Sequence, residues 1–150
     1  MVILGKTSVG KSYFAQALVN AACRKDYTVA YWRLDDLGNR LAVYQPSDPG
    51  GLKFLDSLRN TDVLMLDHFL TTPITMATAS KILNILASRE GHGATVVTSQ
   101  FDPEDWYKSL HDAVIAESIL SRLVSVSEIV QLDGPNMRSE IHRTTVTDPS

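Results

Sequence analysis

The residues that most directly imply chemistry stand near the start of the chain: Gly5–Lys6–Thr7–Ser8–Val9–Gly10–Lys11–Ser12, followed by Tyr13. The spacing Gly-x-x-x-x-Gly-Lys-Ser matches the Walker A pattern in full. Glycines let the backbone wrap tightly, so that successive N–H groups converge on an anion. A helix starting at the same point adds a partial positive charge. Lys11 is then placed to reach the β- and γ-phosphates of a nucleotide, and the Ser12 hydroxyl to ligate Mg2+. An apolar run, Met1–Leu4, precedes the motif and a helical pattern follows it, which separates it from a chance glycine turn. The expectation is bound ATP with Mg2+, cradled by residues Gly5 to Tyr13.

A second group is needed to hold the metal. Asp67 closes the apolar run Val63–Leu64–Met65–Leu66, and P-loop ATPases hold Mg2+ through water with an aspartate at such a strand end. The plainer alternative is an aspartate that only caps a turn. His68 comes next, where many of these enzymes carry a second acid that polarises the attacking water. A neutral imidazole, with a reference pKa of about 6.5, can accept a proton near pH 7. His68 therefore reads as a weaker base with slow hydrolysis, or as a side chain that only packs in its loop.

The elements that must position these groups alternate along the chain. Met1–Leu4 reads as a strand buried on both faces, and Ser12–Arg24 as a helix with Phe14, Leu18, Ala21 and Ala22 at helical spacing. Thr28–Leu34 is β-branched and aromatic, hence a strand. Asp35–Asp36 is placed to cap a helix over Leu37–Tyr44. Pro46, Pro49, Gly50 and Gly51 break the chain before a short helix carrying Leu52, Leu55 and Leu58 and ending near Asn60. Asp62–Asp67 and Ala94–Thr98 read as buried strands, separated by a helix over Ala77–Arg89. A helix start at Asp102–Asp105, a helix over Ala113–Leu123 and a strand over Glu128–Leu132 complete the pattern. Gly134–Pro135 then turns the chain. Such alternation predicts one α/β domain, a three-layer sandwich around a mostly parallel five-stranded sheet. Residues 1–142 form the core and 143–150 a polar tail. Only four residues precede Gly5, whereas a strand takes about five or six, so a natural N-terminal region is expected to be missing.

Composition narrows the partners. Apolar residues make up 44% and charged residues 21%, ordinary globular proportions that exclude disorder of the whole chain. A formal net charge of −3 gives no global basic footprint for nucleic acid. The basic residues Arg24, Lys25, Arg33, Arg40, Lys53 and Arg59 are scattered. They read as solvated surface, or as a DNA-facing stripe completed on oligomerisation. The one cysteine, Cys23, allows no intramolecular disulfide and points to a reducing cytoplasm. On the first helix it reads as a small core hydrophobe. No apolar run reaches the roughly 18 residues of a membrane span, and none suits a signal peptide. His68, His92, His111 and His142 show no paired metal-ligand spacing with Cys23, and Trp32 reads as packing.

Several blocks together carry a resemblance. Gly5–Arg24 followed by Asp26–Tyr27–Thr28–Val29, Thr95–Gln100 with Trp106, Ala116–Leu123 and Val130–Arg138 resemble, in order and spacing, the IstB/DnaC-like branch of AAA+ ATPases. The resemblance covers nearly the whole chain. It implies a P-loop AAA+ core without a helical lid domain, there being no room for one between Arg122 and the last strand. It implies that Gln100, otherwise a strand-terminal polar residue, senses the γ-phosphate or orients water at the end of the fourth strand, and that Arg122, otherwise one half of a helix-surface ion pair, is an arginine finger acting on ATP held by a neighbouring subunit. Arg138 stands where the family also carries arginine, and reads best as part of a surface turn. Implied partners are a second copy of the chain, DNA, and a transposase or a replicative helicase. Three departures bear on the carry-over: His68 in place of the acid, Ser8 in place of a frequent glycine, and the lack of the N-terminal partner-binding region. Two other readings compete: a small-molecule P-loop kinase, which would need an arginine-rich lid, and a weakly hydrolysing ATP-binding switch.

Overall fold

The computed structural model describes residues 1–5, 10–45, 47–124 and 129–132. In chain order its elements are β1 (Val2–Leu4), α1 (Lys11–Arg24), β2 (Val29–Arg33), α2 (Leu34–Val43), α3 (Pro49–Asn60), β3 (Val63–Asp67), α4 (Met76–Ser88), β4 (Ala94–Ser99), a 3-10 helix (Pro103–Ser109), α5 (Ala113–Leu123) and β5 (Ile129–Gln131). The strands form one parallel sheet in the order β2-β3-β4-β1-β5. The expected α/β architecture and five-stranded sheet are therefore what the chain adopts. The Gly134–Pro135 turn, Arg138 and the 143–150 tail lie outside the described residues.

Each face of the sheet is covered, as near-continuous apolar strands require. On one face Ile3, Met65 and Val96 pack with Ala15 of α1, joined by Phe14, Leu18 and Val19. On the other, Val2, Leu4, Leu64, Leu66 and Val97 pack against Leu37 and Leu41 of α2, Ile82, Ile85 and Leu86 of α4, and Ile119 and Leu123 of α5. The stripe foreseen on α1 faces inward through Phe14 and Leu18. Trp32 packs edge-on against Phe54, with ring centroids 5.5 Å apart.

Three local expectations need correction. Helix α2 starts at Leu34 rather than after the two acids, so Asp35 and Asp36 lie in its first turn without capping it. There they favour the positive end of the helix dipole, and Asp35 also pairs with Arg33 at 3.6 Å. Pro49 opens α3 instead of breaking the chain, because a missing N–H is no loss at the first helical position. Cys23 is exposed on α1; the helix turns its Ala15 row, not Cys23, toward the sheet.

One buried side chain ties the N-terminal edge of the sheet together. Arg89, at the end of α4 and 4% exposed, donates to the carbonyls of Leu58, Thr61 and Ala94 at 2.9, 2.7 and 2.8 Å. Its Nε donates to Thr95 Oγ1 at 2.9 Å. The guanidinium thus satisfies the carbonyls at the end of α3 and joins the approaches to β3 and β4. Gly93 sits against this knot with φ +60°, where a Cβ would meet Asp62 O at 2.7 Å and Arg89 Nη2 at 2.9 Å. Thr28 adds a second tie, its N–H and hydroxyl both donating to Asp62 Oδ2. Replacing Arg89 by Met keeps the side chain's bulk but leaves several carbonyls unpaired, each at about 1–3 kcal/mol. Arg89→Met should lose at least about 3 kcal/mol in urea unfolding; a loss below about 1 kcal/mol would show that the knot is dispensable.

Candidate functional site

All five strands run the same way, so their C-terminal ends deliver the chemistry-bearing residues to one edge. β1 delivers Gly5, β3 delivers Asp67 and His68, and β4 delivers Ser99 and Gln100. The Gly5 N–H donates to the Ser99 carbonyl at 3.2 Å, which fixes the start of the cradle against the end of β4. Lys6, Thr7, Ser8 and Val9 lie outside the described residues. The cradle resumes at Gly10, whose φ of 96° is left-handed and suits glycine. No side chain caps α1 and no acid lies in its first turn; its first backbone bond runs from Phe14 N–H to Gly10 O. The start of α1 is thereby left electropositive toward the edge where Gly5 stands. Lys11 is half-buried, while Ser12 and Tyr13 are exposed. Burial lowers the Lys11 pKa below the usual lysine value, and the Asp67 charge opposes that shift. Lys11 and Asp67 therefore feel each other across the site.

Asp67 is 4% exposed and is gripped from three elements. Thr98 on β4 donates to its Oδ1, Tyr31 on β2 donates to its Oδ2, and the His68 N–H donates to Oδ1 at 3.1 Å. Register explains the first of these. β3 and β4 pair at Leu66↔Val97, so one step further on Thr98 stands level with Asp67 on the same face. Burial alone would raise the Asp67 carboxyl. Hydrogen bonds from Thr98 and Tyr31, with smaller help from His68, hold it below the ordinary carboxylate range. An ionised, oriented carboxylate beside a lysine and a hydroxyl fits Mg2+, which takes few protein ligands and keeps phosphates and waters. Among the described residues no group of three or more His, Cys, Asp or Glu is placed to form an all-protein metal cage.

His68 takes the left-handed conformation, φ 53°, uncommon for a residue with a Cβ. The turn is enforced by its neighbours. Its N–H also reaches Thr98 Oγ1 at 3.1 Å, and Phe69 N–H donates to Thr98 O at 2.7 Å. Phe69 is fully buried against Trp106, with ring centroids 4.9 Å apart. Ser99 Oγ donates to Phe69 O and accepts from Trp106 Nε1. The His68 imidazole is left 39% exposed, with Nε2 3.7 Å from Asp67 Oδ2. Gln100, half-buried, follows Ser99 directly at the edge that Gly5 adjoins.

The structure thus brings Gly5, Lys11, Ser12, Asp67, His68 and Gln100 to one edge. It does not bring Arg122 there. Arg122, at the end of α5, lines a groove of about 560 Å³ with Met1, Ala94 and Thr95, where β1 and β4 begin. At about 3.3 Å per residue, β4 separates the two places by roughly 15 Å. Arg122 Nε lies 3.2 Å from Glu90 Oε1, off the line of a good hydrogen bond, and one terminal nitrogen donates to Ser118 O at 3.3 Å. Arg89 belongs to the same end and is consumed by its carbonyls, so it is no lid over a phosphate. Two residues of the site escaped sequence reasoning, Tyr31 and Thr98. The signal for Thr98 was its place in Ala94–Thr98, a polar side chain at the end of an apolar strand; Tyr31 offered none.

The cradle, the buried strand-end aspartate and the strand order define a P-loop ATP-binding domain of AAA+ type. Solved structures share this fold. AMPPCP-bound DnaA from Aquifex aeolicus matches with a TM-score of 0.78 at 17% identity, over 99% of this chain and 45% of that one. The DnaC helicase loader matches with a TM-score of 0.72 at 20% identity, over 89% and 77%. The chain belongs to the IstB-like ATP binding protein family, whose sequence profile matches residues 1–145. It is 36% identical, over 137 residues, to an insertion-sequence ATP-binding protein of Sinorhizobium fredii, covering 91% of this chain and 54% of that protein. It is 30% identical, over 139 residues, to an ATP-binding protein in an insertion sequence of Mycobacterium tuberculosis, covering 92% and 55%. The chain spans about half the length of these relatives. The resemblance drawn from the sequence blocks is borne out, and no helix among the described residues is long and apolar enough to cross a membrane.

Because its folded pKa is depressed, Asp67 stabilises the fold fully above the ordinary carboxylate range near pH 4. That stabilisation is lost as pH falls through the folded value. Denaturation of Asp67→Asn beside the parent should therefore show a gap that is widest near neutrality and narrows on acidification. A gap constant with pH would contradict the assignment.

Proposed function

We propose that this chain is the ATPase core of a transposition helper: it binds Mg·ATP in the cradle, assembles head-to-tail with its own copies, and couples nucleotide state to DNA and a transposase. The observation that carries the reading is the buried Asp67 carboxylate at the end of β3, held by Thr98 and Tyr31 at the edge where the Gly5 motif begins. Lys11 would hold the β- and γ-phosphates, Ser12 and Asp67 would hold the metal, and residues 5–13 make up the nucleotide-binding motif. Bound Mg2+ would neutralise charge on the β- and γ-oxygens. Gln100 stands at the end of β4 to orient water or sense the γ-phosphate. Residues 1–142 make up the core, which works in the cytoplasm.

A transposase is favoured over a replicative helicase as partner because relatives at 30% identity and above carry insertion-sequence names, whereas the likeness to the helicase loader is one of fold. Head-to-tail assembly follows from Arg122. A guanidinium at the opposite end of the sheet serves a nucleotide only when it belongs to the next subunit, and that requires a heterologous interface. The weakly hydrolysing switch is a second reading, favoured by His68. Its imidazole leans toward the Asp67 carboxylate rather than standing alone, so a water near Asp67 meets a weak base.

Lys11→Ala should abolish binding of labelled ATP, and unchanged affinity would sink the assignment. Arg122→Ala should bind ATP normally yet lose ATP-dependent oligomers and roughly a hundredfold or more in turnover. Mixing the two inactive variants should restore turnover, since one supplies the nucleotide and the other the arginine. A strict monomer with full turnover would defeat the trans reading. In His68→Glu, a large gain in turnover would mark the native protein as a slow ATPase whose imidazole is no effective base.

A further inference from the structure

Tyr31 stands on the edge strand β2, in register with Met65 and two residues before Arg33, which pairs with Asp67. Met65 packs with Ala15 of α1, so Tyr31 lies on the face that carries α1 and the Asp67 carboxylate. Its side chain combines two environments. The residue is 42% exposed, yet its hydroxyl reaches Oδ2 of a residue that is 4% exposed. Burial, donation to Asp67 and the Asp67 charge raise the phenol's pKa well above its usual value, opposed by Arg33. An ordinary phenol, with a pKa of about 10, is a donor throughout the physiological range. Arg33 itself is turned toward Asp35, 3.6 Å away.

The hold on Asp67 is divided between its oxygens. Thr98 Oγ1 and the His68 N–H both go to Oδ1. On Oδ2 the described donor is Tyr31, with the His68 imidazole further off at 3.7 Å. Rotation about the Cβ–Cγ bond, a broad torsion, moves both carboxylate oxygens together, so donors at both oxygens restrain it more tightly than donors at one. Held at both, the carboxylate plane is better fixed; of the described donors Oδ1 takes two, whereas Oδ2 takes Tyr31 and keeps a lone pair for a further donor such as a metal-bound water. An apolar ring at position 31 would cover the sheet edge equally well but leave the carboxylate restrained only from the Oδ1 side by Thr98 and His68. Metal sites lose about 10–100-fold in affinity when such outer hydrogen bonds are removed.

We infer that Tyr31 is a positioning residue for the metal-bearing carboxylate, so that the edge strand β2 sets how tightly the site takes the Mg2+ that accompanies the nucleotide. The inference rests on the cradle's being a Mg·ATP site. Tyr31→Phe tests it, because the ring stays and only the hydroxyl goes. Binding of N-methylanthraniloyl-ATP is titrated in EDTA and at graded Mg2+, beside a thermal unfolding curve. The expected result is affinity in EDTA within about twofold of the parent, and a roughly tenfold rise in the Mg2+ concentration that gives half of the Mg2+-dependent enhancement. Combining Tyr31→Phe with Asp67→Asn should add no further loss, since the hydroxyl acts through that carboxylate. Unchanged Mg2+ dependence, an additive double variant, or an equal loss of affinity in EDTA would each overturn the inference. A parent protein without any Mg2+ enhancement would instead remove the Mg·ATP reading, and the role of Tyr31 with it.

Discussion

A carboxylate that is 4% exposed at the end of the third strand constrains more of this molecule than any other group. Burying a charge is unfavourable unless it is paired and fully hydrogen-bonded. Asp67 meets that condition only because β2, β3 and β4 lie side by side in one particular register. A slip of one residue in β4 would bring Val97 or Ser99 level with Asp67 in place of Thr98, and would turn the hydroxyl to the other face of the sheet. The hydrogen bonds to Asp67 thus select the alignment of three strands. The apolar residues on the two faces require the same alignment, since a slip of one residue would turn them over as well. Lys11 completes the arrangement from α1, so the first helix is held to the same edge by electrostatics as well as by packing.

The opposite edge is built on different principles. There Arg89 gathers carbonyls from the end of α3 and the approaches to β3 and β4, and Gly93 leaves room for it. A guanidinium bonded to carbonyls is a structural fastening with no free donor to offer a ligand. The consequence is a sheet clamped at both ends, by a cation at its N-terminal edge and by an anion at its C-terminal edge. Between the clamps lie fully apolar strands. Rigidity of this sort matters for a phosphate site, whose groups must be held to within about 0.5 Å of working geometry.

Much of this was legible in the sequence, and the rest was not for reasons that can be stated. Gly5–Ser12 identifies its own chemistry because the motif is local: glycines, lysine and hydroxyl act within one turn of chain. Asp67 was legible because an apolar strand ending in a carboxylate is also a local pattern. Tyr31 and Thr98 act on Asp67 only through the strand order β2-β3-β4-β1-β5, and order is a property of the folded sheet rather than of any segment. Tyr31 in particular is one aromatic residue in the β-branched and aromatic run Thr28–Leu34, and only the pleat shows that its ring lies on the face opposite Trp32. Cys23 misled because a small residue on an alanine-rich helix suits either face. The two acids at Asp35–Asp36 misled because Leu34 ends the strand pattern and starts the helix at once.

The separation of Arg122 from the cradle has an implication of its own for how the proposed assembly is regulated. Among the described residues the guanidinium and the cradle stand at opposite ends of β4, farther apart than a side-chain rotation spans. What Arg122 meets in the isolated subunit is the Ser118 carbonyl on its own helix and Glu90, itself 60% exposed, in an ion pair without good hydrogen-bond alignment. A pair whose carboxylate is this open to solvent is worth little, on the order of 1 kcal/mol. A phosphate bearing several negative charges competes easily with one solvated carboxylate. On the proposed function, then, the barrier to engaging the arginine lies in bringing the next subunit into place, not in freeing the side chain. Nucleotide binding would control activity through the number of neighbours a subunit has, because every subunit carries a cradle at one edge and an arginine at the other, and only an interface joins them.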